Sequence, residues 1–275
     1  MSGRHPDPAA SPPPHGLGYV PAWLPPPDRP DLVAGETHVW RACLQLPPDV
    51  ARCMADALPA GERARAEAIV VDRARDRFVA SRFLLRTLLG RYLDLPPHQV
   101  ALAYGAHGKP ELAPGLSTTR LVFSLAHSRD CLVIALDLGR AVGVDVEFIR
   151  PLSDVAGLVG RAFSPAERAE WSALPPECRL EAFYRGWTAK EAWLKARSTG
   201  LTWPLDWFTT SLAPDSPLRL LAVDGEPGSA SGWSLLSFEA APGCIGALAV
   251  EGAAGPVRFF GPLQPADLGA RDAGA

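Results

Sequence analysis

The sequence predicts an α+β fold in two similar halves, and three observations predict it. Apolar residues recur at helical spacing in two long stretches, over 61–95 and 179–196. Each stretch is followed by short β-like runs broken by Gly, Pro, Asp and Ser turns. The order helix then strands therefore occurs twice, in 37–143 and in 144–262, with no residue-level repeat between them.

Residues 1–36 are dense in proline and almost without periodic apolar pattern, so burial cannot offset the entropy of ordering them, and a disordered leader is expected. The first strand signal is Thr37 to Leu46, where Val39, Ala42, Leu44 and Leu46 stand among polar neighbours and Pro47-Pro48 closes the run. From Gly61 to Leu95 the apolar face is carried by Ala68, Val71, Ala74, Phe78, Leu85, Leu88 and Leu89. Arginines 63, 65, 73, 75, 77, 82, 86 and 91 crowd the other side. Most of these are expected to be solvated, with one or two free to bind phosphate. Strands are then expected near 100–104, 121–125, 131–137 and 141–147. A helix start follows at Ser164 as N-cap, with Pro165 at the first helical position and Glu167 completing a capping box. The second long helix and five strands, near 208–212, 218–223, 233–239, 244–250 and 257–260, complete the second half. The segment 263–275 is small and polar, and is expected to fray.

The 47% hydrophobic content is enough to build a core, and no apolar run approaches the roughly 20 residues that cross a bilayer. With no apolar signal-peptide core near residue 1, the protein is expected to stay in the cytoplasm. Five scattered cysteines without a C-x-x-C pair suggest neither a disulfide framework nor zinc, and read as small buried hydrophobes. A net charge of −3 gives no global attraction to nucleic acid or to an anionic membrane, so any basic patch must be local.

Two segments carry chemistry. In Gly143-Val144-Asp145-Val146-Glu147 a strand's alternation places both carboxylates on one face, a pattern that a half-solvated strand also shows. In Trp187 to Lys195, Glu191 and Lys195 lie one helical turn apart, as in an ordinary surface ion pair. Taken together, three carboxylates can converge on a hard cation that prefers oxygen ligands, with a lysine beside it to offset phosphate charge. Gly108-Lys109-Pro110 adds a lysine at a rigid turn, and Phe123 to Ser128 ends a strand with a polar cluster.

The order and spacing of these pieces resemble the Sfp-type 4'-phosphopantetheinyl transferase family. Its signature runs from a G-(I/V)-D-x-E strand to a W-(S/T)-x-K-E-(A/S)-x-x-K helix, and here Asp145 and Glu191 stand 46 positions apart. The resemblance also takes in the G-K-P turn, the F-x-L-x-H-S segment, the F-S-x-x-E helix start and the basic helix with its R-x-L-x-R-like pattern, and covers roughly 37–262. It implies two pseudo-symmetric α+β subdomains, each a long helix packed on a small, mainly antiparallel sheet, with coenzyme A held between them. It implies magnesium bound by Asp145, Glu147 and Glu191, and Lys195 on the phosphates of coenzyme A. Lys109 would line the nucleotide site, with His127 and Arg77 toward the 3'-phosphate, and Pro110 and Ser128 would also belong to the coenzyme-A-binding set. Arg63 and Arg65 are similar to further basic positions only across a gap. The catalytic set would be Glu191, Lys195 and Glu147, with either glutamate, or a metal-bound water, taking the proton of a carrier-protein serine. The partner implied is an apo acyl or peptidyl carrier protein, and a monomer is expected because one chain supplies both walls of the cleft. A magnesium-dependent nucleotide phosphohydrolase and a non-catalytic coenzyme-A-binding module are the alternatives. The sequence departs from the family at Ser124 and Ala126, which replace its Asn and first Ser, and at 197–200, which keeps one glycine of a glycine-rich stretch.

Overall fold

A computed structural model of the chain describes residues 19–105, 108–198 and 203–263. The first half runs β1 (Thr37–Cys43), α1 (Pro48–Asp56), α2 (Ala60–Glu67), α3 (Asp72–Leu93), β2 (Leu102–Tyr104), β3 (Pro110–Leu112), β4 (Leu121–Ser128) and β5 (Cys131–Leu138). The second runs β6 (Val142–Phe148), α4 (Val155–Ala162), α5 (Pro165–Ala173), α6 (Pro176–Arg197), β7 (Phe208–Thr210), β8 (Leu220–Val223), β9 (Trp233–Ala241), β10 (Cys244–Glu251) and β11 (Val257–Leu263). The fold is α+β, as the pattern predicts. Each half is built on a 22-residue helix, α3 or α6, and each of these ends on a left-handed residue, Asp94 at φ 53° and Ser198 at φ 56°.

The helical stretch expected from Gly61 divides into α2 and α3. Val71 is extended between them, and Val70 and Val71 are exposed, so no burial offsets the rotamer freedom that β-branched residues lose in a helix. The Pro47-Pro48 pair that closes β1 also opens α1, since proline fits the first helical position. At α5 the expected capping box forms: Ser164 Oγ accepts from the Glu167 amide at 3.2 Å and the Glu167 carboxylate accepts from the Ser164 amide at 2.8 Å.

Two sheets meet at the centre. The first has the order β11-β1-β5-β4, antiparallel except that β11 runs parallel to β1; the second has the order β6-β10-β9. Strand β11, which sequence order places in the second half, thus completes the first half's sheet. Residues 19–36 belong to the segment expected to be a leader, and the structure lays them along the sheet edges. The Tyr19 amide donates to the Ser237 carbonyl at 3.3 Å and the Leu24 amide to the Phe259 carbonyl at 2.8 Å. The reason is aromatic: Trp23 packs edge-on against Phe259 and under the Arg41 guanidinium. Residues 1–18 and 264–275 lie outside the described residues.

The seam between the sheets is β4 beside β6. Ser124 Oγ accepts from the Val144 amide at 3.2 Å, and Ser128 Oγ accepts from the Phe148 amide at 3.0 Å. Beneath the seam, Val39, Val133 and Ala135 share one core with Val142, Val144, Val146 and Phe238. Burying each valine contributes about 1.5–3 kcal/mol, so the halves are fused by packing as well as by chain.

Candidate active site

Strand β6 divides its residues between two faces. Val142, Val144 and Val146 enter the shared core, which turns Gly143, Asp145 and Glu147 toward α6. A Cβ at Gly143 would collide with the Ala192 carbonyl and the Ala196 amide, so only glycine lets α6 approach β6 so closely. That approach brings Glu191 and Lys195 of α6 to the carboxylates of β6.

Lys195 Nζ donates to Asp145 Oδ1 at 2.6 Å, while Asp145 Oδ2 is buried with no hydrogen-bond partner. The lysine goes to the strand; no ion pair with Glu191 forms, as a plain surface helix would have had. Burial, with Glu147 adding to it, raises the Asp145 carboxyl above the usual carboxylate range against the pull of Lys195. Burial and the charges of Asp145 and Glu147 likewise raise Glu191. Glu147 is reached from the other half: Ser128 Oγ donates to its Oε2 at 2.7 Å.

The register of α6 is set by a buried ion pair next to Glu191. Lys190 and Glu167 are both fully buried 2.8 Å apart, and Lys190 also donates to the Leu205 and Phe208 carbonyls. Glu167 in turn accepts from the Thr210 amide at 2.7 Å. One carboxylate therefore caps α5, holds β7 and anchors α6.

The first half supplies the cations. Arg77 Nε donates to Asp130 Oδ1 at 2.8 Å, and Arg73 binds the other oxygen at 2.7 Å, fixing the β4–β5 turn to α3. The Arg77 side chain depresses Asp130 by that hydrogen bond. His127, near the end of β4, has an exposed surface but a ring crowded by protein. Partial desolvation, then Arg77, Lys195 and Arg82, hold it below its ordinary 6.5. Arg82 was legible only as one arginine of a basic helix, yet its Nε and Nη1 are buried with no partner and its guanidinium lies 5.6 Å from the Tyr104 ring centre. Its position four residues after Phe78, on the apolar stripe rather than the solvated face, was the available signal.

Lys109 meets the C-terminal end of α6. Its Nζ donates to the Lys195 carbonyl at 2.6 Å and to Ser198 Oγ at 3.3 Å, closing the C-terminal end of α6, and burial lowers its pKa. Gly108 at φ +75° makes the turn into it, and Pro110 is buried at the start of β3. Ser124 and Ala126, the two departures from the family, both point inward; Ser124 serves the seam and Ala126 the shared core. Of the altered stretch 197–200, residues 199 and 200 lie outside the described residues.

Among the described residues no group of three or more acidic, His or Cys side chains is already drawn into a metal-holding arrangement. The donor set nonetheless fits a hard cation: a buried carboxylate oxygen without a partner, and two carboxyls, Asp145 and Glu191, raised by burial first and both in part by the charge of Glu147.

Comparison with known proteins gives the class. The profile of the 4'-phosphopantetheinyl transferase superfamily matches residues 141–242, which span β6 to the end of β9. The chain is 36% identical over 238 residues to the 4'-phosphopantetheinyl transferase HetI of Nostoc sp. PCC 7120, covering 86% of this chain and 97% of that one. It is 39% identical over 131 residues to the 4'-phosphopantetheinyl transferase AcpT of Escherichia coli K12, covering 48% of this chain and 62% of AcpT. To the 4'-phosphopantetheinyl transferase of Bacillus subtilis it is 30% identical over 142 residues, 52% of this chain and 61% of that protein. The chain belongs to the 4'-phosphopantetheinyl transferase family.

Proposed function

We propose that the protein is an Sfp-type enzyme that transfers the 4'-phosphopantetheine group of coenzyme A to a serine of an apo acyl or peptidyl carrier protein, releasing 3',5'-ADP, with magnesium. The observation that carries this reading is the convergence of Asp145, Glu147, Glu191 and Lys195 where β6 meets α6, beside the cations of the first half.

In this reading the serine Oγ forms a bond to the phosphorus that bears pantetheine, and the bond from that phosphorus to the oxygen of 3',5'-ADP breaks. Asp145, Glu147 and Glu191 would hold the magnesium ion, which supplies charge neutralisation on the pyrophosphate. Glu191 or Glu147 takes the serine proton, and burial raises the proton affinity of Glu191. Lys195 is held against Asp145 in the free protein and is placed to stabilise charge on the leaving phosphate. Arg82, with unpaired donors, and Arg77, steadied by Asp130, receive the 3'-phosphate together with His127 and Ser128. Lys109 and Pro110 shape the nucleotide side, Lys109 by holding the end of α6. A single chain that carries both walls of the cleft supports action as a monomer. No described helix is long and apolar enough to cross a membrane, and the site of action is taken to be the cytoplasm.

Incubation with coenzyme A, magnesium and an apo carrier protein tests this. Covalent gain of phosphopantetheine by the carrier supports it. Carrier-independent hydrolysis of coenzyme A, or binding without reaction, replaces it with a phosphohydrolase or a binding module.

A further inference from the structure

A cavity of about 480 Å³ opens where the two sheets end, beyond the seam and away from Lys195. Its wall includes Arg41, Cys43, Ser128, Cys131, Phe148 and Cys244. Three of the five cysteines therefore face one space. Cys131, on β5 of the first sheet, and Cys244, on β10 of the second, pack in one core cluster and both line this space.

The strand registers place this pair against the site. Cys131 is the cross-strand partner of Ser128, and Cys244 is the partner of Phe148. Ser128 and Phe148 are themselves joined, by the 3.0 Å bond from the Phe148 amide, and Ser128 holds Glu147 at 2.7 Å. The serine bridge and the two strand pairings thus connect the two cysteines through Ser128 and Phe148, and Ser128 touches a carboxylate of the site.

We propose that this cavity is an oxidation site at which hydrogen peroxide couples Cys131 and Cys244 into a disulfide joining β5 to β10. The Cys244 thiolate attacks one peroxide oxygen, giving a sulfenic acid and hydroxide. The Cys131 sulfur then displaces hydroxide from it as the S–S bond forms; the two thiol protons end in two waters, and two electrons pass to the peroxide. A disulfide needs sulfurs about 2.05 Å apart, and these two cysteines face the same cavity from the adjoining ends of the two sheets. Interaction with Cys131 first, then Arg129, lowers the Cys244 thiol against burial, which makes Cys244 the attacking sulfur. Cys43 is the cross-strand partner of Cys131 but is exposed, and Cys53 is exposed on α1, so both serve as internal comparisons.

Closing the disulfide draws Ser128 and Phe148 with their strand partners and shifts Glu147. This consequence for transfer rests on the function proposed above; the cross-link itself does not. The test is peroxide treatment of the full chain followed by non-reducing peptide mapping, with transfer measured before and after. The expected result is a linked Cys131–Cys244 peptide, reversed by dithiothreitol, absent from Cys244→Ser and Cys131→Ala and retained in Cys43→Ser. Transfer should fall at least several-fold on oxidation of the native chain and remain unchanged in Cys131→Ala. Free thiols at 131 and 244 beside oxidised Cys53, or a Cys43–Cys131 link, would overturn the site. A Cys131–Cys244 link that leaves transfer unchanged would overturn its coupling to Glu147. If the untreated chain has no transfer activity, the function proposed above fails while the mapping still decides the cross-link.

Discussion

Lys195 and Asp145 form the contact on which the site turns: the ammonium lies 2.6 Å from Oδ1, and Oδ2 of the same carboxylate is buried with no partner. Lys195→Met removes the charge that compensates a buried carboxylate. Because the lysine side chain is 30% exposed, the cost is placed below that of a fully buried pair, at about 1–3 kcal/mol. Urea denaturation at neutral pH should show it, together with loss of transfer. Asp145→Asn in the same background should recover stability without recovering transfer.

Lys190 and Glu167 are expected to behave differently, since neither is exposed at all. Lys190→Met leaves Glu167 charged and buried, which costs about 3–5 kcal/mol. Thermal melting checks this. A variant as stable as the parent would mean that the pair does not hold α6 in register.

Gly143→Ala forces a methyl group into the Ala192 carbonyl, so β6 and α6 must separate. Overpacking of this kind costs about 1–3 kcal/mol. The account expects transfer to fall more than stability, because the same separation parts Asp145 from Lys195. Equal transfer in the folded variant would show that the close approach is structural only.

Arg82→Ala should raise the KM for coenzyme A far more than that for dephospho-coenzyme A, which lacks the 3'-phosphate. Loss of a charge-assisted bond suggests about 1.5–3 kcal/mol, on the order of tenfold to a hundredfold. Arg77→Ala should act in the same direction and more weakly, because one of its donors is already held by Asp130. Equal losses with both substrates would remove these arginines from the 3'-phosphate.

His127 gives that pocket a pH dependence. In the free protein its pKa lies below 6.5, so the ring is neutral at pH 7, and a bound phosphate favours the charged ring and raises the pKa. Binding therefore takes up a proton, and affinity should rise as pH falls from the bound-state value toward the free-state one. Titration calorimetry in His127→Ala should lose that slope and keep only the part owed to the phosphate itself.

The parts legible in the sequence were those carried by local pattern. Alternation fixed the faces of Asp145 and Glu147, and the capping box at Ser164 and Glu167 follows from their spacing. Relationships between distant segments were not legible. Nothing local says that β11 joins β1, that Glu167 pairs with Lys190, or that Lys195 prefers Asp145 to Glu191. The place of Arg82 four residues after Phe78 sets it on the apolar stripe, but nothing local says that Arg77 pairs with Asp130 while the Arg82 donors stay unpaired. The aromatic hold on residues 19–24 depends on Phe238 and Phe259, more than two hundred positions away.

The most direct test of the whole account is stoichiometric. With purified protein, coenzyme A, magnesium and an apo carrier protein, intact-mass measurement of the carrier is paired with quantification of 3',5'-ADP. The account predicts one phosphopantetheine gained by a carrier serine for each 3',5'-ADP released, and neither product from folded Asp145→Ala or Glu191→Ala. Release of 3',5'-ADP without a modified carrier, or full transfer by either variant, would contradict it.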